Sequence, residues 1–307
     1  MSVNIQTDLH GKRVVVTGAS GFIGSHLCDE LDQLGCEVHA ISRNPINHSN
    51  SRSIIYEKID LTHLENARKY FRKINPHYTF HTAGKVSGNR SIKLVPSTFQ
   101  NNLVTSVNML TVAAEQKPGR LILMGSLEEP ENTIPSSPYA ISKWASTNYA
   151  KMFHLLYDTP IVIIRLFMVY GPQKQDPDKL LPYVIRKLLN NETPKLGNGK
   201  REIDWIYIDD VIEGLIKAAL TKNIEGQTVD IGSGKLISIK DLVERTSFSM
   251  NSNTELKFDV LKDRLNEQVR KADISKTFSQ IQWKPKTELD EGLKNTIDWY
   301  KKKKMLK

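Results

Sequence analysis

The sequence predicts a doubly wound α/β fold, a parallel sheet covered by helices on both faces, with a smaller C-terminal α/β lobe. Three observations carry this. Short β-branched runs alternate with amphipathic stretches long enough for helices, three glycines interrupt the first strand-to-helix junction, and the alternation breaks after Gly171. Strands buried on both faces read as continuous apolar runs, and helices between them imply parallel crossovers.

The elements follow in order. "RVVVTG" (13–18) is the first strand. "FIGSHLCDELDQLG" (22–35) sets Ile23, Leu27, Leu31 and Leu34 at helical spacing and stops at Gly35. "EVHAIS" (37–42), "YTFHTAG" (78–84) and "RLILMGS" (120–126) repeat the strand pattern, and "TPIVIIRLFMVYG" (159–171) is the most continuous run. "GPQKQDPDKLLP" reads as a loop leaving the sheet. Beyond it, "PYVIRKLLN" is a helix, "DWIYIDDVIEGLIKAAL" a strand feeding a helix, "TVDIGSG" a strand, and "WKPKT" a turn before the last helix. Residues 1–168 with about 204–233 are expected to form the large lobe, and about 169–203 with 234–307 the small one.

Composition excludes several classes. The 307 residues are 39% hydrophobic, and no apolar run approaches the ~20 residues of a membrane span. The start has no apolar segment of the kind that directs export, so a cytoplasmic protein without a membrane partner is expected. Cys28 and Cys36 fall on one predicted helix without metal-ligand spacing, so free thiols and no metal are expected. The net charge of +9 is scattered apart from the terminal "KKKKMLK", which argues against a nucleic-acid partner and leaves a smaller anionic ligand as its complement.

Gly18, Gly21 and Gly24 lie between a strand and a helix in "VVVTGASGFIGSHL". That is the pattern of a Rossmann-type loop that brings backbone and a helix N-terminus against a pyrophosphate; the alternative is an ordinary tight turn. About 20 residues on, an NAD-binding chain usually carries an acid for the ribose hydroxyls. Here Ser42 takes that place and Arg43 follows. With no carboxylate to repel a 2′-phosphate and a guanidinium to bind it, NADP(H) is favoured, with NAD(H) possible. Asp60 is a candidate for the adenine amino group, or a charge at a helix N-terminus.

In "SPYAISKWA" (137–145), Tyr139 and Lys143 share a helix face. A phenol near its ordinary pKa of ~10 exchanges protons poorly at neutral pH. A nearby ammonium is expected to lower that value, and the hydroxyl of Ser126 to orient a reacting oxygen.

At these residues the chain resembles the extended short-chain dehydrogenase/reductase family, the nucleotide-sugar epimerases, dehydratases and reductases. The likeness covers nearly the whole chain. It rests on "TGASGFIG", "HTAG", "NNLVTSVNML", Ser126 with "YAISK", "YGP" (170–172), "DWIYIDDV" and "WKP". The resemblance implies that Tyr139 is the acid/base, that Lys143 also holds the nicotinamide ribose, and that Ser126 bonds the substrate oxygen. It implies cofactor contacts at Ser20, Phe22 and Ile23 within the glycine loop, and at Leu61, Thr82, Ala83, Gly84 and Asn102. It implies a nucleotide-diphosphate sugar as substrate, with contacts at Ser87, Met168, Leu181, Arg201 and Arg264. It also implies a homodimer through a four-helix bundle built from the helices near 103–116 and 138–158.

Several positions depart from the family pattern. Ile203 replaces the arginine that usually precedes the "DWIYI" strand, leaving Arg201 as the nearest substitute. Leu265 replaces the proline expected after Arg264, and Met168 replaces an asparagine. In "GSLEEPEN", Leu127 stands where the dehydratases carry their acid, and only Glu128 of their Asp-Glu pair remains as a candidate catalytic carboxylate. Since leucine cannot protonate a leaving group, dehydration is disfavoured. Reduction of a nucleotide-linked 4-keto-6-deoxy sugar by NADPH is the first expectation, and an NAD-dependent 4-epimerase the alternative. A third possibility is a cofactor-binding protein whose active site is spent.

Overall fold

The computed structural model describes residues 8–44, 53–117, 119–131, 133–262 and 267–305. Arg264, expected to bind a diphosphate, lies outside the described residues.

The large sheet starts with β1 (Arg13–Thr17), whose residues are buried from Val14 onward and feed both faces. Val14 and Val16 enter one core cluster and Val15 the other, as the two-residue period of a strand requires. α1 (Phe22–Gln33) covers the first face. β2 (Glu37–Ser42) and β3 (Ile55–Lys58) extend the sheet one way; after α2 (Leu64–Ile74), β4 (Tyr78–His81) pairs on the other side of β1. A helical stretch then runs through α3 (Val95–Thr98), a π-wound segment (Phe99–Val104) and α4 (Thr105–Gln116). β5 (Arg120–Ser126), α5 (Pro138–Tyr157), β6 (Ile161–Leu166) and a late strand, β9 (Thr228–Ile231), complete the large sheet. The order is β3-β2-β1-β4-β5-β6-β9, and every pair is parallel. Chain direction across the sheet reverses between β1 and β4, so a crevice opens at their C-terminal ends, where open α/β sheets bind ligands.

Two boundaries differ from the sequence expectation. The apolar run 159–171 divides at Phe167: β6 stays in the large sheet, while β7 (Met168–Tyr170) pairs with β8 (Glu202–Tyr207). β8 also pairs antiparallel with β10 (Leu236–Ser238), forming a separate three-stranded sheet. Residues 204–207 therefore go with the small sheet rather than the large one. α7 (Ile208–Leu220), which follows directly, returns to pack on α1. Hydropathy hides both changes, because the two sheets share one apolar core that also takes in Trp283 and Leu293.

Of the remaining helices, α6 (Leu180–Leu189), α8 (Ile239–Ser249) and α10 (Leu289–Met305) pack on one another, while α9 (Ile274–Ile281) packs on β9 of the large sheet. Two acids of "DWIYIDDV" tie this C-terminal part together. Asp204, fully buried, accepts from the backbone N–H groups of Ser233, Gly234 and Ala272 at 2.6–2.9 Å. Asp210 accepts from those of Lys286 and Thr287 at 3.0 and 2.9 Å, fixing the "WKPKT" turn. Buried carboxylates satisfied by several N–H donors are structural anchors. No described helix is long and apolar enough to cross a membrane.

Candidate active site

The glycine loop is a backbone-to-backbone contact. Gly18 has φ +67°, and a Cβ there would lie 2.7 Å from the N and Cα of Ala83, at the end of β4. A Cβ on Gly24 would lie 2.4 Å from the carbonyl oxygen of Gly18. The β1–α1 turn therefore closes tightly on both its own helix and the next strand. A small network locks the junction. The Thr82 hydroxyl donates to the Thr17 carbonyl at 2.6 Å, and the Ala83 N–H donates to Thr17 Oγ1 at 3.1 Å. Thr17 Oγ1 also lies 2.9 Å from Nδ1 of buried His81. Burial, with help from Lys143, pushes the His81 imidazole down to about 3, so it stays neutral.

α1 has Gly21 as its N-cap, no side-chain cap and no acid in its first turn. Its leading N–H groups are thus presented to the crevice, beside Ser20, Phe22 and Ile23. This cradle fits the pyrophosphate of a dinucleotide. At the far end of the crevice, Ser42 closes on the Asn44 backbone at 2.6 Å, and the exposed Arg43 bonds the side chain of Asn101. Asp60 is occupied by the N–H and hydroxyl of Thr62 at 2.9 and 2.7 Å. Leu61 is buried, and its carbonyl accepts from Asn108 at 2.8 Å.

At the chemical end, Ser137 caps α5 by accepting from the Ala140 N–H at 3.1 Å, and Pro138 opens the helix. Tyr139 therefore lies in the first turn and Lys143 one turn on, against the end of β5. The Tyr139 phenol lies near the Ser126 hydroxyl, whose Oγ accepts from the Glu128 N–H at 3.2 Å. Lys143 is 6% exposed and donates to the Met124 carbonyl at 2.8 Å. A Cβ on Gly84 would lie 3.8 Å from its Nζ, so the ammonium faces the cofactor crevice. The sequence placed these three residues together, and the structure does so.

Their electrostatics differ from expectation. Burial pushes the Tyr139 phenol up to about 12, the nearby Ser126 hydroxyl works against this, and Glu129 and Glu128 add to it. Lys143 is not among the groups that shift the phenol. Burial brings Lys143 itself down to about 8, opposed by Glu129.

Other candidate residues separate into distinct roles. Buried Asn102, on the π segment, uses its amide on Lys85 N–H (2.6 Å), the Lys85 carbonyl (3.1 Å) and Ser142 Oγ (3.1 Å). It holds the Gly84 turn to α5. Ser87 is half-buried in the loop after β4 and accepts from the Asn89 N–H at 3.2 Å; Met168 is half-buried at the start of β7. Leu181 corrects the sequence reading: it is 1% exposed and packed in the main core, so its side chain is unavailable to a ligand. Arg201 is gripped by Glu128 at 2.8 Å, Glu267 at 3.1 Å and the Gln268 carbonyl at 2.8 Å. Glu128 is thus the ion-pair partner of the expected phosphate arginine.

Sequence reasoning passed over Glu129. Its carboxylate is 5% exposed and accepts from the Ser126 N–H at 2.7 Å and the Thr147 hydroxyl at 3.0 Å. The available signal was a second acid three residues after the serine, matching the N–H it reaches back to.

Comparison with known proteins adds the chemistry of relatives. The family model described as NAD dependent epimerase/dehydratase family matches residues 14–232. A putative UDP-glucose 4-epimerase of Methanocaldococcus jannaschii is 28% identical, over 94% of this chain and 98% of its own. A dTDP-glucose 4,6-dehydratase of Haemophilus influenzae is also 28% identical, over 94% and 97%. The crystal structure of UDP-glucuronic acid 4-epimerase from Bacillus cereus, in complex with UDP-glucuronic acid and NAD, superposes with a TM-score of 0.84. It is 27% identical and covers 94% of this chain and 99% of its own.

Proposed function

Because this chain belongs to the NAD dependent epimerase/dehydratase family, we propose that it moves a hydride reversibly at carbon 4 of a nucleotide-linked sugar, with epimerisation there as the net reaction. That it is a nicotinamide-dependent enzyme acting on nucleotide sugars follows from the family. The carbon-4 reading is carried by one observation: Tyr139, Ser126 and Lys143 come together at the end of β5, with a leucine where a dehydratase needs an acid.

The bound dinucleotide supplies the hydride acceptor and donor. The glycine loop and the α1 N-terminus would hold its pyrophosphate, and Lys143 would hold its ribose. Ser126 orients the substrate oxygen toward Tyr139. With the phenol at about 12, Tyr139 keeps its proton at neutral pH and is ready to protonate the carbon-4 oxygen as hydride arrives. The oxidative half comes first and needs the phenol oxygen ionised, the form that Ser126 favours; that oxygen then receives the hydroxyl proton, which the reductive half returns to the carbon-4 oxygen. Leu127, 4% exposed, offers no proton to a departing hydroxyl, which supports epimerisation over dehydration. Arg201, between Glu128 and Glu267, is the candidate for the substrate diphosphate, with Arg264 as the second.

A separate observation favours ketoreduction with NADPH: β2 ends at Ser42 and Arg43 follows it, with no carboxylate at either position. Incubation with UDP-glucose, UDP-glucuronate and a 4-keto-6-deoxy nucleotide sugar, with NAD or NADPH, separates the readings. Epimer formed without net cofactor consumption supports the first. NADPH consumed in equal amount with product supports the second, and no turnover of any of them contradicts both.

We also infer a homodimer through α4 and α5. α5 leaves Ile141, Trp144 and Tyr149 about two-fifths exposed, a large apolar cost on a monomer surface. Sedimentation should report twice the 34.9 kDa chain mass, and a monomer at micromolar concentration would refute it.

A further inference from the structure

Glu129 is the most deeply buried acid beside the reacting groups, and the mechanism above gives it no part. Its Oε1 accepts two hydrogen bonds, from the end of β5 at Ser126 N–H (2.7 Å) and from α5 at the Thr147 hydroxyl (3.0 Å). Thr147 lies one helical turn beyond Lys143, which itself lies one turn beyond Tyr139. The space is built for this carboxylate: a Cβ on Gly125 would lie 2.5 Å from Glu129 Oε1. Neighbouring Glu128 makes neither of these two bonds and pairs instead with Arg201, although its charge also disfavours the Tyr139 phenolate.

We propose that Glu129 is a positioning residue for this reaction: its buried carboxylate clamps the Ser126 end of β5 to α5 and sets the charge balance around Lys143 and Tyr139. The proposal rests on the carbon-4 reading for its catalytic consequence, but its electrostatic content stands on the folded chain alone.

The groups facing this carboxylate come from every element around it. Lys143 and Tyr139 approach from α5, Arg165 from β6, and Arg270 from the segment before α9, while Glu128 adjoins it in sequence. Arg165 is paired with Asp230 at 3.0 Å and Arg270 with Glu131 at 2.6 Å. Lys143 has no carboxylate within ion-pair distance among the described residues and donates to a carbonyl. Glu129 is thus the one negative charge that holds up the basicity of this buried lysine, and it also disfavours the Tyr139 phenolate. Burial raises the pKa of Glu129 itself; the two hydrogen bonds, Arg165 and Lys143 favour its ionised form. Removing the charge should make both Lys143 and Tyr139 lose their protons more easily.

The test is Glu129→Gln, whose amide oxygen accepts the same two hydrogen bonds without the charge. Competitive acetylation of Lys143 with acetic anhydride across a pH series, read by peptide mass spectrometry, reports the lysine without needing turnover. The expected result is a midpoint lowered by about one pH unit relative to the parent. In turnover, the pH profile of kcat/KM should move the same way, with KM unchanged within about twofold. Glu129→Leu, which loses the clamp too, should lower kcat about tenfold or more below Glu129→Gln. Thr147→Val strips one of the bonds that keep the carboxylate ionised. It should shift Lys143 in the same direction by less, and serves if Glu129→Gln does not fold. An unmoved Lys143 midpoint in the folded variants overturns the proposal. If the parent turns over no nucleotide sugar yet the midpoint moves, the carbon-4 reading fails and the electrostatic role of Glu129 stands.

Discussion

The two ends of the crevice are built by opposite means. At the cofactor end, Gly18, Gly24 and Ala83 meet backbone to backbone, and the only titratable group in the network, His81, is kept neutral by burial. At the chemical end, Tyr139, Lys143 and Glu129 are crowded together around the end of β5, and their proton affinities depend on one another. The first region is a matter of shape and should fail when a single carbon is added. The second is a matter of charge and should respond to pH and to isosteric changes that leave shape alone.

The largest effect that sharpens this contrast is expected from Tyr139→Phe. Losing the hydroxyl should lower kcat/KM by about 10²–10⁴-fold while cofactor affinity, measured by fluorescence titration, changes little. Equal loss of both would show that the chemical end also shapes the cradle. Next comes Gly18→Ala, whose Cβ would meet the Ala83 backbone at 2.7 Å in a left-handed conformation. A loss of about 2 kcal/mol or more in stability is expected by denaturant titration, with cofactor affinity weakened alongside. A neutral result would mean that the loop gives way and is not shape-limited.

Lys143→Met probes the charged end by stability rather than activity. Lys143 falls from 10.5 to about 8 in the folded chain, so folding costs free energy whenever the ammonium must be buried. Between about 8 and 10.5 the unfolded chain binds more protons than the folded one, so parent stability rises with pH through that window. The Met variant, though inactive, should be more stable than the parent by about 1–3 kcal/mol at neutral pH, an advantage that shrinks as pH approaches 10.5. A Met variant less stable at neutral pH would contradict the burial cost. The smallest effect belongs to Arg43→Ala at the rim of the cradle. It should weaken NADPH binding about tenfold and NADH binding hardly at all if the guanidinium meets a 2′-phosphate; equal effects on both cofactors would remove the argument for NADPH.

The same contrast marks what was legible in the sequence. The glycine loop and the alternating strands write themselves into local pattern, because backbone approach needs glycine and a two-faced sheet needs continuous apolar runs. The Ser126–Tyr139–Lys143 set was legible because helix spacing and strand ends fix where such side chains meet. The break at Phe167 was not, since both sheets bury the same residue types and only pairing tells them apart. Leu181 went to the core and Arg201 to Glu128, 73 residues away in sequence, for a related reason: long-range partners are set by tertiary packing. Glu129 escaped notice because loop backbone decides which of two adjacent acids turns inward.

Isotope tracing at carbon 4 tests the central claim most directly. UDP-glucose and UDP-glucuronate carrying deuterium at that carbon would be incubated with the protein and NAD, and the products analysed by mass spectrometry and NMR. The account predicts an epimerised sugar that retains the deuterium at carbon 4, with no such product from Tyr139→Phe. Product whose deuterium has been lost to solvent, or an equal yield from the Phe variant, would contradict it.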